Sequence, residues 1–125
     1  MKLFIVIALS AFAVAHPDGY YYDLKYEKFN INEIISVDNL LKAYALCFKG
    51  AGKCTPEGTD FKRWIPEAFQ TSCAQCTENQ RVLVAKCLKA IATKFPEDYS
   101  ELCNVYDPQK HHEVEIQKFI AKYSI

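Results

Sequence analysis

Between Asp38 and Tyr123 apolar residues recur three and four positions apart, and no stretch of four or more alternates strictly between apolar and polar. The pattern therefore predicts helices and no strand. A short helix is expected over residues 32–36. A second is expected over about Asp38–Lys49, with Leu40, Leu41, Tyr44 and Phe48 on one face, ended by Gly50-Ala51-Gly52. Thr55-Pro56-Glu57 supplies a capping hydroxyl and a proline at the first helical position, and Phe61, Trp64, Ile65, Ala68 and Phe69 follow as one apolar stripe. Pro66 inside that stripe should kink the third helix. Thr77-Glu78-Asn79-Gln80 fits a capping box, after which Val84, Cys87, Leu88, Ile91 and Phe95 carry a fourth helix to about Lys94. A fifth carries Tyr99, Leu102, Cys103 and Tyr106. Asp107-Pro108 should start a sixth, with Ile116, Phe119, Ile120 and Tyr123 turned inward. Short connections between these pieces imply one all-α globule of about six helices.

Two segments fall outside the periodic region. Residues 16–28, with Tyr20, Tyr21, Tyr22 and Tyr26, show no period and read as an extended arm. Ahead of them, one positive charge at Lys2 precedes an apolar run ending in the small residues Ala13 and Ala15. Residues 1–15 thus read as a secretory signal peptide, too short to span a bilayer, leaving a single domain over residues 16–125. A secreted chain of this size needs covalent help for its core, and six cysteines in an oxidising compartment can supply it. Lys and Arg number 15, as do Asp and Glu, so no strongly basic face for nucleic acid follows. No second apolar stretch is long enough to cross a membrane. The expected product is a soluble, extracellular monomer.

Cys47, Cys54, Cys73 and Cys76 allow three pairings. The local one, Cys47–Cys54 with Cys73–Cys76, would close two inter-helix loops and contribute about 2–2.5 kcal/mol per ring on chain-entropy grounds. Their C-x6-C-x18-C-x2-C spacing is accompanied by Pro56-Glu57-Gly58, Lys62-Arg63, Ile65-Pro66-Glu67-Ala68, Cys76-Thr77-Glu78-Asn79-Gln80 and Tyr106-Asp107-Pro108. In these features the chain resembles the insect chemosensory proteins over nearly all of residues 26–123. The resemblance implies six helices, local pairing of those four cysteines, and an internal channel for long-chain apolar molecules such as fatty alcohols, acids and esters. It also implies a carrier rather than an enzyme, with no cofactor and with a membrane receptor as a further candidate partner. The channel-lining positions it implies are Tyr26, Tyr44, Phe61, Ile65, Gln80, Val84, Cys87 and Tyr99. Two features depart from the family pattern. Tyr99 stands where the family often has tryptophan, and Cys87 and Cys103 are additional. A third bridge, Cys87–Cys103, would close a hairpin centred on Phe95; the alternative is two buried free thiols.

Other chemistry fits less well. Cys73-Ala74-Gln75-Cys76 has the spacing of a redox pair but lacks the strand–helix setting, and four cysteines binding zinc would suit a cytosolic chain. His111 and His112 are adjacent, so on a helix they point about 100° apart and cannot easily share a metal ion. No Gly-x-Ser-x-Gly sequence or calcium loop of a secreted phospholipase occurs. The rival to a carrier is a secreted interaction protein presenting an exposed aromatic patch. Trp64 fits either the outer side of the third helix or the channel mouth.

Overall fold

The computed structural model describes residues 26–125. The expected signal peptide and most of the expected aromatic arm lie outside the described residues. Six α-helices follow one another: α1 Asn32–Ile35, α2 Asp38–Lys49, α3 Pro56–Thr71, α4 Glu78–Lys94, α5 Pro96–Tyr106 and α6 Glu113–Tyr123. No strand occurs among the described residues. The chain is all-α, as its periodicity predicts.

Local chemistry sets most boundaries. Gly50 ends α2 at φ +82°, a left-handed conformation in which a side chain is strained, and the Ala51 N–H reaches back to the Leu46 carbonyl at 2.8 Å. Thr55 opens α3 by accepting the Gly58 N–H at 2.9 Å, with Pro56 in the first turn. Pro66 lies within α3 without ending it. Ser72 and Cys73, both at positive φ, turn the chain into the Cys73–Cys76 ring. Arg81 secures this turn by donating to the Cys73 and Ala74 carbonyls. The capping box of α4 is complete: Gln80 N–H donates to Thr77 Oγ1 at 3.1 Å, and Thr77 N–H donates to Gln80 Oε1 at 2.9 Å.

Three expectations need correction. First, α6 begins at Glu113, not at Pro108. Residues 107–110 form a turn closed by Lys110 N–H to the Asp107 carbonyl, and Lys110 is left-handed at φ +60°. The Asp107 carboxylate then accepts the His111 and His112 N–H groups at 2.8 and 3.0 Å, fixing the pair as part of a turn. Second, Leu40 is 37% exposed; the inner face of α2 is Leu41, Tyr44, Ala45 and Phe48. Third, the Cys87–Cys103 bridge is not formed, and both are free thiols. Cys87 is sealed in the core within electrostatic reach of Tyr44 on α2, whereas half-buried Cys103 sits among Tyr99, Asp107, Lys110 and Glu113. The symmetrical hairpin needed to align them does not place them in common surroundings.

The two remaining pairs are local disulfides, Cys47–Cys54 and Cys73–Cys76, with Cα separations of 5.0 and 5.1 Å. They bracket α3. Helix α4 is central, packing against α2, α3, α5 and α6. Among the described residues, no helix is long and apolar enough to cross a membrane.

Candidate functional site

Seven of the eight positions expected to line a channel come together in the core. Tyr26, Tyr44, Phe61, Ile65, Gln80, Val84 and Cys87 are each at most 6% exposed and belong to the core between α2, α3 and α4. Their rings pack edge to face or tilted: Tyr26 lies 5.5 Å from Phe61 and 5.2 Å from Trp64, and Phe61 lies 5.1 Å from Trp64. Trp64 is therefore an interior residue, on neither the outer face nor a rim. With lining side chains this close together, a molecule touching them must displace what they now touch.

Tyr26 is held at two points. Its hydroxyl donates to Asp60 on α3, and its carbonyl accepts from Asn79 Nδ2 on α4 at 2.5 Å. The ring thus covers the Phe61–Trp64 pair from the arm side. Sequence reasoning identified Tyr26 but missed both fasteners, because each depends on contacts more than 30 residues apart in the chain.

The polar atoms inside are few. Gln80 spends its Oε1 on the capping box, which leaves Nε2 as a buried donor without a partner. Trp64 Nε1 is a second such donor. An unpaired buried donor costs about 1–3 kcal/mol, so these groups favour any acceptor oxygen brought into the core. Thr55 Oγ1 donates to the Tyr44 hydroxyl at 3.1 Å, and burial raises the Tyr44 pKa. Beside that pair a hollow of about 30 Å³ lies against Cys47 and Gly58. Burial alone pushes the Cys87 thiol up to about 12, so it remains neutral and acts as an apolar side chain.

Tyr99 differs from the other seven. It packs at the edge of the core and lines an outer hollow with Gln117, Ile120 and Ile125. Its hydroxyl is buried without a hydrogen bond of ordinary geometry, although the Cys103 thiol interacts with it electrostatically. Burial, chiefly, raises its pKa. Elsewhere, the Cys73–Cys76 disulfide is buried in the α3–α4 turn. Among the described residues no group of three or more His, Cys, Asp or Glu could hold a metal ion.

The described residues thus combine six helices, two local rings and an aromatic interior with unpartnered donors. The insect pheromone-binding family, A10/OS-D, matches residues 22–114. The chain belongs to this family. Among similar proteins, the ejaculatory bulb-specific protein 3 of Drosophila melanogaster is 34% identical over 122 residues, covering 97% of this chain and 93% of that protein. The allergen Tha p 1 of Thaumetopoea pityocampa is 36% identical over 109 residues, covering 87% of this chain and 86% of that one. Solved structures agree. A chemosensory protein in complex with bromo-dodecanol superposes with a TM-score of 0.66 at 32% identity, covering 78% of this chain and 97% of that one. The antennal chemosensory protein A6 of the moth Mamestra brassicae does so at 0.66 and 31%, covering 81% and 95%.

Proposed function

We propose that this chain is a secreted carrier that takes one long-chain apolar molecule, such as a fatty alcohol, acid or ester, into the core between α2, α3 and α4. The observation that carries this reading is the pair of unpartnered buried donors, Gln80 Nε2 and Trp64 Nε1, inside an otherwise apolar aromatic interior. An oxygen-bearing head group satisfies such donors, while its hydrocarbon chain replaces contacts among the rings. The chemosensory protein bound to bromo-dodecanol supports the same ligand class. Tyr26, fastened to Asp60 and Asn79, is the natural moving part, because releasing it uncovers Phe61 and Trp64. Tyr44, Ile65, Val84 and Cys87 form the wall, and Tyr99 contributes from the edge.

Each buried methylene contributes about 0.8 kcal/mol, so at the smallest cost of association, about 4 kcal/mol, a chain of about 15 carbons is left with about 8 kcal/mol, which is micromolar strength. The test is displacement of a fluorescent apolar probe from delipidated, oxidised protein by C8-to-C18 alcohols. Affinity rises with length and then levels; no saturable displacement at any length refutes the reading. Ile65→Asp, if it stays helical, abolishes binding by placing a carboxylate against the hydrocarbon. Ile65→Ala lowers stability by about 2–5 kcal/mol and shifts the best ligand to longer chains. Secretion is tested separately: the N-terminal sequence of exported protein should begin at His16.

A further inference from the structure

The interior has a polar feature at each end. Along α4 its wall is the buried stripe Gln80, Val84 and Cys87, and the seven positions of helix from Gln80 to Cys87 advance about 10 Å at roughly 1.5 Å per residue. At the Gln80 end stand the unpartnered donors Gln80 Nε2 and Trp64 Nε1. At the Cys87 end stands Tyr44, whose phenol lies within electrostatic reach of the Cys87 thiol. Phe61 lies between, its ring 6.2 Å from that of Tyr44 and 5.1 Å from that of Trp64.

The Tyr44 end is built around an oxygen-sized space. A directed chain of hydrogen bonds runs into it: the Gly58 N–H donates to Thr55 Oγ1 at 2.9 Å, and Thr55 Oγ1 donates to the Tyr44 hydroxyl at 3.1 Å. The Thr55 proton is thereby spent, and the Tyr44 hydroxyl proton finds no acceptor among the described residues. Beside it lies the hollow of about 30 Å³ between α2 and the start of α3, enough for a water or a ligand oxygen. Gly58 keeps that space open. It is buried in the first turn of α3 with no left-handed φ to require glycine, and alanine suits a helix better. A Cβ there would lie 3.2 Å from Thr55 Oγ1, 3.3 Å from Cys47 Sγ and 3.5 Å from Tyr44 Cε2, so a methyl group would occupy the hollow.

We propose that the interior selects chains carrying an oxygen at both ends, one taken by Gln80 and Trp64 and the other by the Tyr44 hydroxyl at the hollow. Tyr44 and Gly58 are then the residues that determine specificity. The inference rests on the carrier reading of the interior and narrows its ligand to neutral, doubly oxygenated chains such as diols, hydroxy esters and keto alcohols. An extended chain advances about 1.3 Å per carbon, so about eight to ten carbons span the stripe. A second hydroxyl buried without a partner weakens binding about tenfold, whereas one that accepts the Tyr44 proton escapes that penalty.

The experiment compares matched pairs, a 1-alkanol against the α,ω-alkanediol of the same length, from C6 to C14. Each displaces the fluorescent apolar probe from full-length secreted protein, delipidated and with both disulfides intact. The diol should be about tenfold weaker than the alcohol at C6, where it cannot reach both ends, and at least as tight as the alcohol from about C10 upward. The Gly58 amide, which donates into the same chain of hydrogen bonds, should shift with decanediol and not with decanol. Tyr44→Phe removes the donor, and Gly58→Ala fills the hollow while keeping the Tyr44 hydroxyl. Each should lower the ratio of decanediol to decanol affinity about tenfold, whatever it does to both ligands alike, and Gly58→Ala carries the test if Tyr44→Phe does not fold. Decanol that binds while the diol is weaker at every length overturns this proposal alone, leaving the hollow a site for water; so does a ratio that neither variant changes. Failure of both ligands to displace the probe overturns the carrier reading and this proposal with it.

Discussion

Asp98, in the first turn of α5, receives ammonium groups from two turns of α2: Lys42 and Lys49 both donate to its carboxylate, the latter at 2.8 Å. These two lysines, Lys42 first, hold the Asp98 carboxyl below its ordinary value of 3.8, and Asp98 and Glu101 in turn raise Lys49. The hydrogen bonds from these lysines outweigh the desolvation that would raise it. A lowered native pKa means that the stabilisation is complete above 3.8 and disappears as the pH falls through the lowered value. Asp98→Asn should cost about 1.5–3 kcal/mol near neutral pH and flatten the acid limb of stability, as read by urea unfolding at pH 7 and pH 3. None of this was legible in the sequence, because the partners lie 56 and 49 residues from Asp98. The capping pair Thr77 and Gln80 was legible, since its chemistry is confined to one turn. The free thiols supply a second measurement. Native protein at pH 8 should leave Cys87 unmodified by iodoacetamide while half-buried Cys103 reacts slowly, and denaturation without reduction should bring the total to two labels.

At the scale of elements, sequence periodicity placed all six helices and failed only where a neighbouring residue or a turn decided the outcome. Leu40 and Leu41 are adjacent, hence about 100° apart on α2, and only Leu41 shares the i, i+3, i+4, i+7 face with Tyr44, Ala45 and Phe48. Pro108 suits the first turn of a helix, but it equally suits a β-turn, and the two N–H groups captured by the Asp107 carboxylate favour the turn. Gly50 is the clearest single-residue control of an element. A Cβ there would meet nothing nearer than Lys62 Nζ at 3.9 Å, so the cost of Gly50→Ala is conformational alone, about 1 kcal/mol. It should lower the urea midpoint with the slope unchanged.

For the molecule as a whole, the candidate interior was legible through the family resemblance, not through composition, because aromatic stripes look the same whether they line a channel or fill a core. Its tight ring packing and the arm fastened by Asp60 and Asn79 were not legible, since both emerge only when α3 and α4 are side by side. Replacing Cys47 and Cys54 together by serine should lower stability by about 2 kcal/mol, measured by thermal unfolding, and leave the fold intact. The rings close at sequence separations of only 7 and 3, both flank α3, and α5 and α6 carry none. Breathing of the molecule is therefore polarised. Native-state hydrogen exchange should find the slowest amides in α3 and the first half of α4. Separate, cheaper openings should release α5 and α6, each on its own since each packs on α4 rather than on the other, even while both cross-links stay closed.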